Sequence, residues 1–114
     1  MTTPEHHIPA IEPADLQTMP DAVLLDVREP GEWASGHAPQ AVHIPLGDLD
    51  RRACELPADR AVVCICRSGG RSLQAAELLT GHGFDVHNLN GGMRAWSDAE
   101  LDVVTPKGTP GQVI

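Results

Sequence analysis

The sequence predicts a small α/β domain built around a parallel sheet. Its 114 residues suffice for one domain with a single core. Two nearly continuous apolar runs, residues 22–27 and 61–65, are typical of parallel strands that are buried on both faces and covered by helices on both sides. Segments with helical spacing alternate with the strands along most of the chain, and this alternation indicates a parallel sheet.

The first half of the chain predicts three helical segments with clear boundary signals. The first begins at Pro13, has an acidic residue in its first turn and stops before Pro20. The second stops at Gly36, and the third has apolar residues at roughly helical spacing that end at Leu56. In chain order, the predicted elements are an edge strand near 8–11, a helix over 13–19, a strand over 22–27, a helix over 29–35, a strand over 42–44 and a helix over 47–56.

The second half predicts two strands, each followed by a glycine-containing turn and a helix. The strand over 61–65 leads into a helix from 72 to about 80, which Gly81 and Gly83 terminate. The strand over 84–89 leads through Gly91 and Gly92 into a final helix from 93 to about 99. The domain is therefore expected to span residues 11–104, between a flexible N-terminal tail (1–10) and a mobile C-terminal tail (105–114).

The charge balance and the apolar runs exclude several classes of partner. Eight Lys and Arg against 16 Asp and Glu give a formal net charge of −8, whereas nucleic-acid binding needs a surplus of cations. The longest apolar run, 61–66, is too short to span a bilayer, and residues 1–7 lack the pattern of a signal peptide. The sequence therefore predicts a cytoplasmic protein that binds neither nucleic acid nor membrane.

The cysteines are predicted to be reactive or buried thiols rather than metal ligands or disulfides. There are three of them, an odd number, in a chain without an export signal. One residue separates Cys64 from Cys66, not the two to four that are typical of zinc sites, and no histidine pair follows at zinc-finger spacing. We therefore expect no metal site, and we expect Cys54 and Cys64 to pack in the core.

The chemistry is concentrated in the loop after the second apolar strand. Cys66 lies at the carboxyl end of that strand, where open α/β sheets bind their ligands and the N–H groups of a glycine-rich loop can converge on an anion. The following helix directs the positive end of its dipole to the same point, and Arg67 and Arg71 add two cations. These features predict that the pKa of Cys66 lies below its ordinary value of ~8.5, which favours the thiolate.

The segment around this loop carries a local excess of positive charge, although the protein as a whole is acidic. Residues 60–72 contain three arginines and no carboxylate. A soft anionic nucleophile surrounded by positive charge suits a small anion with an electrophilic reacting atom, such as a sulfane sulfur or a phosphoryl group. The sequence therefore predicts nucleophilic catalysis at Cys66.

Four stretches, in order and with plausible spacing, resemble the signatures of the single-domain rhodanese family. The loop CRSGGRS (66–72) resembles the active-site loop of that family. The resemblance covers about residues 11–104 of the chain. The other three stretches are LDVRE (25–29) with the pairs Glu32-Trp33 and Gly36-His37, AVHIPL (41–46) and NGGMRAW (90–96).

The rhodanese resemblance implies both a fold and a reaction. The fold is the three-layer rhodanese-like fold, with a central parallel five-stranded sheet flanked by helices. In the reaction, the thiolate of Cys66 attacks the outer sulfur of thiosulfate or a similar small anionic donor and becomes a persulfide. The persulfide then passes its sulfur to cyanide, a thiol or a protein acceptor. The resemblance implies neither a metal nor an organic cofactor.

The same resemblance gives roles to the rest of the loop. Arg67 would hold the oxyanion end of the donor, and Arg71 would add positive potential and help to fix the loop. The loop amides would stabilise the persulfide anion. The residues expected to bind the substrate and form the active-site loop are Arg67, Ser68, Gly69, Gly70, Arg71 and Ser72.

Charged residues near the other signatures are expected to have structural roles. On the resemblance, His37 and Asp26 would orient the loop rather than carry protons. Arg28 is expected to pair with a carboxylate such as Glu29 or Glu32, and we do not expect it to take part in catalysis.

Two other functions remain open on the sequence alone. Cysteine phosphatases and arsenate reductases also place a cysteine and an arginine around an anion. The phosphatases, however, have one more residue between the two than the four that separate Cys66 from Arg71. We therefore expect no useful phosphatase activity. The second alternative is a sulfur-relay or docking module that serves a protein partner and turns over little of any small donor.

Overall fold

A five-stranded parallel sheet forms the centre of the domain. The computed structural model describes residues 8–114. Its strands are β1 (Ala10–Ile11), β2 (Val23–Asp26), β3 (Val42–His43), β4 (Val62–Ile65) and β5 (Val86–Leu89). They lie in the order β1-β5-β4-β2-β3, and every neighbouring pair is parallel. The predicted α/β fold with a central five-stranded parallel sheet is confirmed.

Short helices connect the strands in the described part of the chain. The α-helices are α1 (Pro30–Ser35), α2 (Leu49–Arg52), α3 (Gly70–Gly81) and α4 (Gly92–Asp98). Three 3-10 helices span Pro13–Thr18, Leu46–Asp48 and Ala53–Glu55. The longest of these helices, α3, has 12 residues, and no helix within residues 8–114 is long and apolar enough to cross a membrane.

The two faces of the sheet pack into two separate apolar cores because β4 is buried on both sides. Val62 and Cys64 belong to the core that α2 and α3 cover. Val63 and Ile65 belong to the core that α4 covers. The burial of both faces, which the continuous apolar run predicts, is confirmed, and it fixes the end of β4 in the middle of the sheet.

The predicted helix over 47–56 is broken into α2 and a 3-10 helix on either side of it. Its apolar positions are as expected, since Leu49, Ala53 and Leu56 are buried. At Arg52 the backbone departs from helical geometry, with φ of −107° and ψ of 6°. The last turn then tightens, and Cys54 is exposed. The prediction that Cys54 packs in the core is therefore wrong.

The N-terminal segment joins the sheet before residue 11. Residues 1–7 of the expected flexible tail lie outside the described residues. The carbonyl of Pro9 accepts a hydrogen bond of 2.8 Å from the main-chain N–H of Asn88, and Ala10 lies opposite Asn88 in the parallel register. This segment forms the edge strand that the sequence predicts.

Residues 105–114, for which the sequence predicts a mobile tail, lie against the domain. Val104 forms isolated β-bridges with both His37 and Pro110. Gln112 donates its main-chain N–H to the carbonyl of Ser35 across 2.8 Å. Main-chain bonds of this kind leave no trace in apolar periodicity, which is why the sequence places the domain boundary at residue 104.

A fully buried ion pair links the end of β2 to the chain after α1. The side chains of Asp26 and Arg28 are both 0% exposed. The guanidinium donates to the carboxylate through Nε at 3.0 Å and through Nη2 at 2.7 Å. Nη2 also donates to the carbonyl of Gly36 across 2.7 Å, whereas Nη1 has no hydrogen-bond partner among the described residues. The pair therefore connects the end of β2, the residues that follow it and the residue after α1, and neither side chain contacts solvent.

A second ion pair holds α1 against the start of α3. Glu32 accepts hydrogen bonds from Arg71 Nη1 at 2.6 Å and from Nη2 at 2.9 Å. These bonds and the main-chain N–H of Glu29, opposed by burial, lower the pKa of Glu32 to about 2. Glu29 and Glu32 also form the capping box of α1. The prediction that Arg28 pairs with a carboxylate is confirmed, but the partner is Asp26 rather than Glu29 or Glu32.

We expect Asp26→Ala to lower the free energy of unfolding by about 3–5 kcal/mol, because it leaves the buried guanidinium of Arg28 without a counter-ion. The double variant Asp26→Leu/Arg28→Met removes both charges and should be destabilised less than Asp26→Ala. Urea unfolding followed by circular dichroism measures both effects. The control is Asp85→Ala, whose side chain is 75% exposed. Equal losses for Asp85→Ala and Asp26→Ala would contradict this account.

We expect Glu32→Gln to lower the free energy of unfolding at pH 7 by about 1–2 kcal/mol, since it removes a charge-assisted pair that is partly screened by solvent. The folded-state pKa of Glu32 lies below the ordinary value of 4.5, so the pair stabilises the protein above pH 4.5. The advantage of the wild type should therefore shrink as the pH falls from 4.5 towards 2. Glu55→Gln, which removes an exposed pair with Arg52, should have a much smaller effect. A difference between wild type and Glu32→Gln that stays constant over this pH range would argue against the pair as its source.

Candidate active site

The loop after β4 surrounds a buried cysteine sulfur. Cys66 directly follows β4 and is 1% exposed. Gly69 donates its main-chain N–H to Cys66 Sγ across 3.0 Å. Its φ of +120° is a conformation that favours glycine, and it turns the chain into α3. As a result α3 begins at Gly70, two residues before the helix start that the sequence predicts at Ser72.

Hydrogen bonds around the sulfur favour the thiolate. Burial raises the pKa of Cys66, but hydrogen bonds from the Ser72 hydroxyl and from the main-chain N–H groups of Ser72, Gly69 and Ser68 outweigh it. The net effect is a pKa below the ordinary value of a cysteine. Three of the loop residues that the sequence singles out are thus brought to the sulfur, and they act through main-chain groups and one hydroxyl.

Arg71, for which the sequence predicts a contribution of positive potential, has a carboxylate as its first partner. The hydrogen bonds from its guanidinium to Glu32 are the main reason that the pKa of Arg71 is raised. Attraction to the charge of Cys66 acts in the same direction but is a weaker cause. Arg71 therefore joins the loop to α1, and much of its charge is neutralised by Glu32.

Arg67 extends towards the C-terminal segment. Its Nε donates to the main-chain oxygen of Ile114 across 2.8 Å. The side chain lines a shallow, polar pocket of about 220 Å³, and Cys66 is not among the lining residues. The other residues that line this pocket are Arg94, Ser97, Asp98 and Val113. In this arrangement the guanidinium of Arg67 is engaged away from the sulfur.

The first turn of α4 holds the loop from outside. The main-chain N–H of Met93 donates to the carbonyl of Cys66 across 2.7 Å, and that of Arg94 donates to the carbonyl of Arg67 across 3.1 Å. Gly92 packs so closely that an added Cβ would fall on the carbonyl oxygen of Cys66 and lie 2.7 Å from the carbonyl carbon of Arg67. The contact therefore requires glycine, and it fixes the first two peptide groups of the loop.

Cys64 has the opposite character to Cys66. It is 0% exposed within the apolar core, and burial, followed by the neighbouring charge of Cys66, raises its pKa to about 12. The prediction that Cys64 packs in the core is confirmed, and its thiol stays protonated at neutral pH. All three cysteines are free. Within residues 8–114, no group of three or more His, Cys, Asp or Glu side chains is arranged to hold a metal ion.

Two residues that reach the loop are missed by the sequence analysis as parts of the site. Glu32 belongs to one of the stretches that resemble the family, but its partner Arg71 lies 39 positions away and no local pattern reveals the pair. Asn88 lies on β5, and its Oδ1 accepts a hydrogen bond of 2.5 Å from Ser72 Oγ. The polar pair His87-Asn88 between the apolar ends of β5 is the signal in the sequence, and it does not by itself distinguish Asn88 from His87.

Known proteins that are similar to this chain fall in one family. A family model described as the rhodanese-like domain matches residues 12–99. The chain is 44% identical over 89 residues to a sulfurtransferase of Allochromatium vinosum. This match covers 77% of this chain and 83% of that protein. It is 45% identical over 75 residues to the candidate sulfur carrier protein YrkF of Bacillus subtilis. That match covers 65% of this chain and 40% of YrkF.

The solved structures agree with the sequence relatives. The crystal structure of a rhodanese-related protein from Thermoplasma volcanium matches with a TM-score of 0.79 and 32% sequence identity. The match covers 84% of this chain and 97% of that one. The family model also spans the whole loop around Cys66. On its sequence, its sheet and these matches, the chain belongs to the family of rhodanese-like domains.

Proposed function

We propose that this protein is a sulfurtransferase in which Cys66 receives a sulfane sulfur as a persulfide and passes it to a thiophilic acceptor. The observation that carries the proposal is the ring of N–H donors around Cys66 Sγ, which favours an anion at that atom although it is buried. The similarity to a protein named as a sulfurtransferase and to one named as a candidate sulfur carrier supports it.

The proposed reaction has two displacements at sulfur. In the first, the thiolate of Cys66 attacks the outer sulfur of thiosulfate or a similar donor. The S–S bond of the donor breaks, sulfite leaves with the bonding electrons, and a Cys66 persulfide anion forms. In the second, cyanide, a thiolate or a protein thiolate attacks the outer sulfur, and the Cys66 thiolate leaves with the electron pair. The two steps restore the enzyme and need no external oxidant or reductant.

The loop supports both displacements because its donors are fixed before the reaction. The N–H groups of Ser68, Gly69 and Ser72 favour negative charge at Cys66, both when its thiolate attacks and when it leaves. The tether to α4 keeps the main chain of Cys66 and Arg67 in place. Donors that are held rigidly do not have to reorganise as the charge shifts from atom to atom.

Arg67 is the residue that we propose for recognition of an anionic donor. It directly follows the nucleophile, and its hydrogen bond to the main-chain oxygen of Ile114 is exposed to solvent. That bond uses only Nε, and an oxyanion of the donor can accept from the remaining N–H groups of the guanidinium. For Arg71 we propose the role of fixing the loop through Glu32, with a smaller electrostatic effect on the sulfur.

A sulfur carrier that delivers its persulfide only to a protein partner is the second candidate function. The observation that favours it is the 45% identity to YrkF, whose name describes a candidate sulfur carrier. The same Cys66 chemistry serves both functions, so the two differ in the acceptor. We further propose a cytoplasmic location, because three free cysteines fit a reducing compartment.

We expect the reduced protein to gain the mass of one sulfur atom after incubation with thiosulfate and to lose it on addition of cyanide, with release of thiocyanate. Cys66→Ser should gain nothing, because it lacks the nucleophile. Cys54→Ser, the matched control that removes an exposed thiol, should behave as the wild type. Intact-mass spectrometry and a colorimetric thiocyanate assay measure the two steps.

The outcomes separate the two candidate functions. Repeated turnover with cyanide supports the enzyme, whereas a stable persulfide on Cys66 that cyanide discharges poorly and a protein thiol accepts supports the carrier. Sulfur that appears on Cys54 instead, or no gain with either thiosulfate or a low-molecular-weight persulfide, would contradict both.

We expect Gly92→Ala to slow formation of the persulfide by roughly 10- to 100-fold, because the new Cβ displaces the carbonyl groups of Cys66 and Arg67 from their present positions. Gly31→Ala is the matched control, since no atom lies within 4 Å of the Cβ that it adds. Stopped reactions analysed by mass give the rates, and circular dichroism reports on folding. A folded Gly92→Ala variant with the wild-type rate would show that the tether is not needed.

A further inference from the structure

The hydroxyl of Ser72 has more acceptors than it has protons. Its side chain is 0% exposed, so solvent offers it no alternative partner. Ser72 Oγ lies 2.5 Å from Asn88 Oδ1 and 3.1 Å from the carbonyl oxygen of Gly69. The same hydroxyl is one of the groups that lower the pKa of Cys66 by donating towards its sulfur. A hydroxyl donates only one proton at a time. The three acceptors therefore compete for it.

The network determines which atom of the Asn88 amide faces Ser72. Asn88 Nδ2 lies 3.3 Å from the carbonyl oxygen of Gly69 and donates to it. The reversed amide would bring two oxygen atoms together at that place, so Oδ1 is the atom next to Ser72 and it can only accept. The main chain of Asn88 is held on one side by Pro9 and lies in register with Cys64 on the other. The amide is thus placed by the sheet itself.

We infer that Asn88 is a positioning residue, whose side-chain oxygen competes for the hydroxyl proton of Ser72 and so weakens the hydrogen bond that this hydroxyl gives to Cys66 Sγ. The inference rests on the proposed function, in which the thiolate of Cys66 is the nucleophile. Asn88 Oδ1 lies 2.5 Å from Ser72 Oγ, whereas the carbonyl oxygen of Gly69 lies 3.1 Å from it. Asn88 Oδ1 is therefore the preferred acceptor of these two oxygens. A thiolate that accepts one hydrogen bond fewer is less stabilised and more nucleophilic.

The charged and titratable groups around Cys66 lie on several elements. On α3, Arg71 is paired with Glu32 of α1, and on β4 the thiol of Cys64 is uncharged at neutral pH. Arg67 follows Cys66 and donates to the main-chain oxygen of Ile114. On β5, Asn88 is uncharged. Replacing Asn88 with alanine removes one acceptor of the Ser72 hydroxyl proton and leaves these charges in place.

The test measures the pKa of Cys66 in the folded protein from the rate of alkylation by iodoacetamide at a series of pH values. Cys54→Ser serves as the background, because the exposed thiol would otherwise react. We expect Asn88→Ala to lower the pKa of Cys66 by roughly 0.5 to 1 pH unit, the size of one net hydrogen bond. Ser72→Ala should raise it, and Asn88→Ala added to Ser72→Ala should change nothing further.

A role for Asn88 in merely supporting the loop predicts a different result. Loss of its bond to Gly69 would then loosen the N–H donor at Cys66 Sγ, and the pKa of Cys66 would rise whether Ser72 is kept or replaced by alanine. A rise with Asn88→Ala, or an equal shift with and without the Ser72 hydroxyl, would overturn the inference. Asn90→Ala, which removes a bond to Glu12, is the control that should leave the pKa of Cys66 unchanged.

A second variant keeps the test decisive if Asn88→Ala fails to fold. Asn88→Asp retains the size of the side chain and is a stronger acceptor, so it should raise the pKa of Cys66. The rise should be larger with Ser72 present than with Ser72→Ala, and equal rises would contradict the inference. Because alkylation needs no sulfur donor, this measurement remains valid whether or not the protein transfers sulfur. Failure of the inference and failure of the proposed function are therefore told apart.

Discussion

A thiolate that is buried at the end of a strand needs hydrogen-bond donors, and the loop after β4 supplies them to Cys66. Cys64 and Cys66 lie two residues apart at the same end of the sheet, and both are buried. Burial without such donors raises the pKa of Cys64 to about 12, whereas the pKa of Cys66 is lowered. What separates the two is the set of N–H and O–H groups that the loop brings to Cys66.

Most of the charged side chains around the loop hold parts of the fold in place rather than acting on the sulfur. Arg71 joins α3 to α1 through Glu32, and Arg28 is bound to Asp26 at the end of β2, the strand next to β4. Main-chain dipoles at short range then stabilise the anion. Such dipoles are fixed by the backbone, so the stabilisation depends little on the rotamers of long side chains. The ion pairs support the site by holding α1, α3 and the end of β2 in place around it.

The fold and the proposed nucleophile follow from the sequence because both have local signals. The run from Val62 to Ile65 encodes a strand buried on both faces, and the glycines after Cys66 encode the loop. Long-range pairings have no such signal, and for this reason the pairing of Arg71 with Glu32, 39 positions away, is not readable from spacing. The exposure of Cys54 depends on a tightened turn that apolar periodicity does not reveal. For Asn88 the sequence gives part of the answer: a polar residue within a strand indicates a special role, but it does not show that Ser72 is the partner.

Sulfur transfer makes two opposite demands on one atom. In the proposed reaction Cys66 first attacks, which favours a thiolate that is little stabilised, and it later leaves, which favours one that is well stabilised. A site that supplied every available proton and cation to the sulfur would help departure at the expense of attack. Here Glu32 offsets the charge of Arg71, and the hydroxyl of Ser72 is shared with Asn88. The neutralised cation and the shared proton both limit how far the anion is stabilised, and this balance suits an atom that is in turn nucleophile and leaving group.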